Sequence, residues 1–255
     1  MRLGQNFLAD PNLLDAIVRD SGVGAHDCVL EVGPGEGILT ARLAAVCGHV
    51  HAIELDRGLE PALVGVAALD KVDLVWGDAV RVELDGLDPP PTAMVANLPY
   101  AVATPVIMRT IFELPSIQGW TVMVQREIAD RLRAEPGSRT YGAPSVLAQL
   151  TGEVRLVRPV SRTVFRPPPR VDSAIVSIRR SGPGPDEKTR AVVRGAFSHR
   201  RKALPRSLEL AIPGTLDQAR RALVGLGLDP GIRAEALTPE QFAALSGAID
   251  LPGPG

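Results

Sequence analysis

From Asp27 onward, short apolar runs alternate with stretches whose apolar positions recur every three or four residues. "CVLEVG" (28–33), "HVHAIELD" (49–56), "VDLVWGDAV" (72–80), "TAMVAN" (92–97) and "GWTVMVQ" (119–125) read as strands. The segments between and after them, "GILTARLAAVC" (37–47), "GLEPALVGVAAL" (58–69), "TPVIMRTIFEL" (104–114) and "REIADRLRAE" (126–135), read as helices. Strands that alternate with helices predict an α/β fold with a parallel, doubly wound sheet covered on both faces. "EVRLVRPV" (153–160) and "DSAIVSIRR" (172–180) read as two more strands, joined by "SRTVFRPPPRV" (161–171), whose prolines make a stiff, extended connector.

Gly and Pro in "SGPGPDEK" (181–188) interrupt both periodicities, so this stretch is the expected linker between a large domain (1–180) and a small helical domain (189–250). The amphipathic segments at 188–210, 215–227 and 238–249 supply the small domain's helices, the last with Thr238 as a capping residue ahead of Glu240 and Gln241. The tail "LPGPG" (251–255) is expected to be disordered.

At 255 residues and 45% hydrophobic content the chain can bury one sizeable core and a smaller one. No run approaches the roughly 18 apolar residues of a membrane span, and the first residues lack the apolar stretch of a secretory signal. A cytoplasmic protein is expected. Cys28 and Cys47 sit in apolar surroundings, and neither they nor His26, His49, His51 and His199 show metal-ligand spacing, so no metal is expected. The formal net charge of −1 hides an asymmetry. Between Arg155 and Arg206 there are 14 Lys or Arg against 3 Asp or Glu, a surplus of 11 within an otherwise acidic chain. Such a segment suits a polyanionic partner, although pairing with acids elsewhere can absorb part of the charge.

Candidate chemistry gathers at the strand ends, where open α/β sheets bind ligands. "EVGPGEG" (31–37) follows the first strand with Gly33, Gly35 and Gly37, a G-x-G-x-G spacing that differs from the G-x-G-x-x-G of dinucleotide binders. Glu31 adds an acid. Glu54, 21 residues after Gly33, ends the second strand where a carboxylate can accept from both hydroxyls of a ribose. Asp78 ends the third, where it can accept from the exocyclic amine of an adenine. Singly, each is compatible with a tight turn or a solvated acid; together they describe a site for an adenosine-containing cofactor. No Lys or Arg accompanies the glycine loop, which favours S-adenosylmethionine over NAD. The fourth strand runs into "ANLPY" (96–100), where Pro99 ends strand pairing and holds Asn97 and Tyr100 at the rim.

In order, "GQNFL" (4–8), "EVGPGEG", "IELD", "GDAV", "NLPY" and "VFRPPPRVDSAIVSI" (164–178) resemble the ribosomal RNA adenine N6-dimethyltransferases. Within that family "AFSHRRKALPRSL" (196–208) is similar to the branch that acts on small-subunit RNA rather than to the antibiotic-resistance enzymes of the large subunit. The resemblance implies a Rossmann-like methyltransferase domain followed by a small RNA- or ribosome-binding helical domain. It also implies S-adenosylmethionine-dependent dimethylation of two adjacent adenines in a hairpin loop near the 3′ end of small-subunit rRNA, within an immature subunit, by a monomer. Carried over by motif, the cofactor contacts are Asn6, Leu8, Gly33, Glu54, Asp78 and Asn97. An adenine amine is a poor nucleophile because its lone pair is delocalised into the ring. The amide oxygen of Asn97 and a backbone carbonyl of Asn97, Leu98 or Pro99 are therefore expected to accept its two N–H bonds and turn that lone pair toward the methyl donor. Tyr100 and Phe165 are the expected faces for the extruded base. Arg166, Arg170, Arg200, Arg201 and Lys202 are the expected RNA contacts.

Two departures stand out. Family members usually carry a longer basic segment before "GQNFL", where this chain has only Met1, Arg2 and Leu3, suggesting a shortened lid or a late start. The residue after "NLPY", often Asn, is Ala101. The competing readings are a large-subunit rRNA methyltransferase conferring resistance and, from another class, an assembly factor whose binding matters more than its chemistry.

Overall fold

The computed structural model describes residues 6–8 and 10–251. Gly4 and Gln5 of the first motif, and the tail beyond Leu251, lie outside the described residues. The chain forms two compact units, residues 1–129 with 153–180, and residues 130–152 with 181–255.

The first unit is built on a seven-stranded sheet of order β4-β3-β2-β5-β6-β9-β7. Its strands are β2 (Cys28–Val32), β3 (His49–Glu54), β4 (Val72–Trp76), β5 (Ala93–Asn97), β6 (Gly119–Gln125), β7 (Gly152–Val160) and β9 (Ser173–Arg180). The neighbours β4, β3, β2, β5 and β6 run parallel, and β9 pairs antiparallel with β6 along its full length, from Gly119 opposite Arg179 to Gln125 opposite Ser173. Central strands bury nearly every side chain, β2 all five of its residues, as a sheet with two covered faces requires. The order reverses between β2 and β5, which opens a crevice at their carboxyl ends. A short pair, β1 (Phe7–Leu8) with β8 (Phe165–Arg166), stands apart, with Leu8 opposite Phe165.

Helices α1 (Pro11–Ser21), α2 (Ile38–Val46), α3 (Glu60–Ala67), α4 (Ala103–Glu113) and the start of α5 (Arg126–Leu132) belong to this unit. Helix α1 precedes the alternating pattern that starts at Asp27, and its signals are present in the sequence. Asp10 caps it by accepting from Asn12 N–H at 2.9 Å and Leu13 N–H at 3.3 Å, Pro11 opens it, and Leu14 and Ile17 are buried.

The second unit contains α6 (Ala143–Thr151), α7 (Glu187–Phe197), α8 (Leu204–Ala211), α9 (Leu216–Gly225) and α10 (Pro239–Gly247). Thr238 and Gln241 form the expected cap, with Thr238 Oγ1 accepting from Gln241 N–H at 3.2 Å and Gln241 Oε1 from Thr238 N–H at 2.9 Å. The chain crosses between units at Arg180, where the linker was expected, but residues 130–152 join the C-terminal helices although they fall within the expected 1–180 domain. The reason is burial and backbone pairing. Tyr141 is fully buried with its hydroxyl donating to Leu237 O at 2.9 Å, and Gly137 N–H donates to Glu235 O at 2.7 Å. Its ring lies edge-on to Phe197, which in turn contacts Phe242.

A candidate active site at the strand ends

The crevice at the carboxyl ends of β2, β3, β4 and β5 holds a cavity of about 420 Å³, within the range that accepts a small organic ligand. Its floor is the glycine loop. Gly33, Gly35 and Gly37 have φ of 74°, 60° and 76°, a left-handed conformation that side chains resist, so the alternating glycines are a backbone requirement. Gly33 also needs the space: a Cβ there would lie 3.0 Å from Pro99 Cγ. Gly33 N–H donates to Ile53 O at 2.9 Å, and Gly35 N–H to Glu54 Oε2 at 3.2 Å, tying the loop to the end of β3.

Glu54 is buried, and its second oxygen accepts from Asp56 N–H at 2.8 Å. Two backbone donors hold the carboxylate at the rim with lone pairs to spare, since an ionised carboxylate offers about four acceptor sites. Asp78 stands after β4, its Oδ1 accepting from Val80 N–H at 2.9 Å while Arg81 lies 3.6 Å from Oδ2. Beneath them Glu31 is 1% exposed, and its Oε2 and the Thr40 hydroxyl oxygen are buried without a hydrogen-bond partner. Burial pushes the Glu31 carboxyl up to about 8, reinforced by the Glu54 charge.

The opposite wall is "NLPY". Asn97 ends β5 and is half-buried, Leu98 N–H donates to Met123 O at 3.0 Å, and Pro99 O accepts from Val102 N–H at 3.1 Å. Among the described residues the Asn97 side chain and the Leu98 carbonyl carry no hydrogen bond, leaving two acceptors beside the cavity. The Tyr100 hydroxyl is 2.6 Å from Ser173 Oγ at the start of β9, and burial raises its pKa. Phe165 lines the cavity too, but it is 2% exposed within the apolar cluster that includes Leu8, Val160 and Ile175. It is a wall of the cavity rather than an open platform.

The structure thus brings Asn6, Leu8, Gly33, Glu54, Asp78, Asn97, Leu98, Pro99, Tyr100 and Phe165 together around one cavity. Arg170 lies in an adjoining depression that shares Asn6 and Tyr100 with it. Arg166 is exposed on β8. Arg200, Arg201 and Lys202 follow α7 in the second unit, and Arg200 is paired with Glu235 Oε2 at 3.2 Å. The basic segment is partly neutralised elsewhere as well: Arg155 pairs with Glu153, Arg158 with Asp20, and Arg180 donates to Ile117 O while stacking over Trp120. Sequence reading missed Phe7, whose ring sits 3.3 Å from where a Gly35 Cβ would be, and Leu55, 57% exposed at the cavity rim. An apolar residue set between Glu54 and Asp56 was the available signal for Leu55.

A glycine cradle, buried unpaired acceptors, a fixed ribose-type carboxylate and exposed apolar rim residues fit a cofactor with an amino-acid end and a nucleoside end. The family model described as ribosomal RNA adenine dimethylase matches residues 1–250. The chain belongs to the ribosomal RNA adenine dimethylase family. It is accordingly an S-adenosylmethionine-dependent rRNA adenine N6-dimethyltransferase. It is 44% identical to the ribosomal RNA small subunit methyltransferase A of Rubrobacter xylanophilus over 96% of this chain and 92% of that one. It is 46% identical to the protein of the same name from Streptomyces coelicolor, over 95% and 88%. Among solved structures, the 23S rRNA methyltransferase ErmE superposes with a TM-score of 0.71 at 27% identity, over 96% of this chain and 100% of that one. A dimethyladenosine transferase from Plasmodium falciparum shares the fold, with a TM-score of 0.74 at 23% identity over 95% and 99%. No helix among the described residues is long and apolar enough to cross a membrane.

Proposed function

We propose that the chain dimethylates two adjacent adenines in a hairpin loop near the 3′ end of small-subunit rRNA, acting on an immature subunit. The single observation that carries the chemistry is the pair of unengaged acceptors, the Asn97 side chain and the Leu98 carbonyl, at the rim of a cavity floored by the glycine loop. S-adenosylmethionine supplies an electrophilic methyl group on a sulfonium. Asn97 and Leu98 accept the two N–H bonds of the target amine in the first transfer, and the one that remains in the second, and aim its lone pair; the proton displaced each time passes to solvent, so neither acts as a strong base. A carboxylate in place of Asn97 would add a charge that favours the cationic reactant over the charge-dispersed transition state. Glu54 accepts from the ribose hydroxyls, Asp78 from the cofactor's adenine amine, and Leu55 and Ala79 offer apolar surface to that ring. Asn6, Leu8 and Gly33 border the methionine end. Tyr100, steadied by Ser173, supports the extruded target base, with Phe165 as the second wall.

Arg170, beside Tyr100, and Arg166 take the RNA backbone next to the target. Arg201 and Lys202, with Arg200, serve the subunit from the second unit. Small-subunit RNA is preferred over the large-subunit alternative because of the similarity at 43–46% identity to proteins named for the small subunit. The test is transfer of labelled methyl groups to purified immature small subunits and to large subunits, with the products read by mass spectrometry of digested rRNA. Dimethyladenosine in the small-subunit fragment alone is expected; label confined to the large subunit would establish the other reading.

A further inference from the structure

At the end of the sheet opposite the cavity, His49 opens β3, His51 lies two residues on, and Asp73 of β4 is the register partner of His51. Residues i and i+2 of a strand share a face, and so does the partner directly across a ladder, so all three side chains project together. Asp73 Oδ2 is 2.9 Å from His49 Nε2 and 3.5 Å from His51 Nδ1, and ligand-type atoms of the three lie within 4.8 Å of one another. Among the described residues no other group of His, Cys, Asp and Glu gathers in this way.

His51 carries the argument. It is 1% exposed, and its Nε2 is 2.8 Å from Pro89 O. A carbonyl oxygen only accepts, so Nε2 bears the hydrogen and Nδ1 of the neutral ring holds a lone pair. That Nδ1 is buried without a hydrogen-bond partner, and the atom in front of it is a carboxylate oxygen. The buried lone pair of His51 thus faces a carboxylate oxygen across 3.5 Å, an oxygen that also takes the His49 Nε2 hydrogen bond at 2.9 Å, and a cation among the three would turn the facing of His51 and Asp73 from costly to favourable.

We propose that His49, His51 and Asp73 form a binding site for a divalent transition-metal ion, Zn²⁺ being the best match. Two imidazoles and a carboxylate are a donor set that zinc accepts, and ligand bonds of about 2.0–2.1 Å in a tetrahedron place the donor atoms roughly 3.3 Å apart. Two of the three donor–donor edges, those to Asp73 at 2.9 and 3.5 Å, bracket that spacing, and the third is within 4.8 Å. The half-exposed Asp73 leaves the remaining position to solvent. Pro89 supplies the outer partner that metal-bound histidines need, holding His51 in the tautomer whose free nitrogen points at the site. Placed between β3 and the edge strand β4, the ion clips the sheet's outer margin together, away from the methyl-transfer cavity.

The probe is Zn²⁺ itself, with Co²⁺ as a spectroscopic substitute, added to chelator-treated full-length protein. His51 is a core residue, so the informative variants are His49→Ala, Asp73→Ala and their combination, at the more accessible positions. One equivalent of metal should bind, Co²⁺ should show visible d–d absorption, and the unfolding midpoint should rise with added Zn²⁺. Each single variant should lose at least about 10–100-fold in affinity, what removal of even an outer-shell partner costs. The double variant, with unchanged far-UV circular dichroism, should show neither binding nor stabilisation. Absence of stoichiometric binding by the wild-type protein, or equal binding by the double variant, would overturn the proposal.

Discussion

The hydroxyl of Tyr100 sits 2.6 Å from the hydroxyl of Ser173, joining the end of the "NLPY" turn to the first residue of β9 across 73 positions of sequence. Ser173 is buried, so the bond fixes the plane of a ring that borders the cavity. Tyr100→Ala should weaken target-base engagement by about 1–3 kcal/mol, the worth of one base stack. Tyr100→Phe and Ser173→Ala should each cost far less, roughly 0.5–1.5 kcal/mol for one hydrogen bond, and the two should not add in the double variant. Single-turnover methyl transfer across this cycle checks it; fully additive effects would mean the hydrogen bond does not orient the ring.

Gly33→Ala meets two penalties, a left-handed φ of 74° and a Cβ 3.0 Å from Pro99 Cγ. The loop must then shift against the "NLPY" turn. Stability should fall by about 1–2 kcal/mol from the backbone conformation alone, and cofactor affinity should fall with it. Urea denaturation and calorimetric titration with S-adenosylmethionine measure the two effects.

Asn97→Ala removes the side-chain acceptor while leaving the backbone of β5 unchanged. The methyl-transfer rate at saturating cofactor should drop by at least about a hundredfold, as when one preorganised polar contact to a transition state is lost. Affinity for small subunits should hardly change, because phosphate contacts dominate it. A variant that keeps a third of the wild-type rate would reduce Asn97 to a strand terminator.

Glu31 gives a pH dependence of definite sign. Its carboxyl is raised from 4.5 to about 8 by burial, so the folded state holds its proton more tightly than the unfolded chain. Below pH 4.5 both states are protonated and nothing is lost. As pH rises from there toward 8 the unfolded chain alone sheds the proton, and stability falls. Glu31→Gln keeps the shape without the titration, so it should gain stability on wild type progressively between pH 4.5 and about 8 and then level off, by up to roughly 5 kcal/mol at about 1.36 kcal/mol per pKa unit. Chemical denaturation across that range, without cofactor, is the measurement.

For the basic segment, Arg200 is already paired with Glu235, whereas Arg201 and Lys202 are exposed without such an ion pair among the described residues. Neutralising all three should flatten the salt dependence of subunit binding by about two phosphate contacts' worth, roughly 0.9 in slope for each. Cofactor affinity should be unaffected. An unchanged slope would move the RNA surface elsewhere.

The sequence by itself determined the parts of this protein that depend on local periodicity and local backbone needs. Alternating apolar runs and helical stripes marked β2 through β6 with the helices between them, because burial on both faces demands those patterns of neighbouring residues. Gly33, Gly35 and Gly37 marked a tight turn at the first strand end, whose left-handed φ values glycine alone adopts cheaply, and Glu54, Asp78 and Asn97 were legible as strand-end residues of one rim. Tertiary structure alone decided which distant residues meet. Nothing near Tyr100 points to Ser173, and nothing in "HVH" points to Asp73, because strand register is set by the whole sheet. Phe165, expected as a face for the extruded base, is buried by the pairing of β8 with β1 while it lines the cavity. Residues 130–152 leave the large unit because Tyr141 finds its partner at Leu237, 96 positions away, and a buried hydroxyl must be satisfied wherever the fold supplies an acceptor.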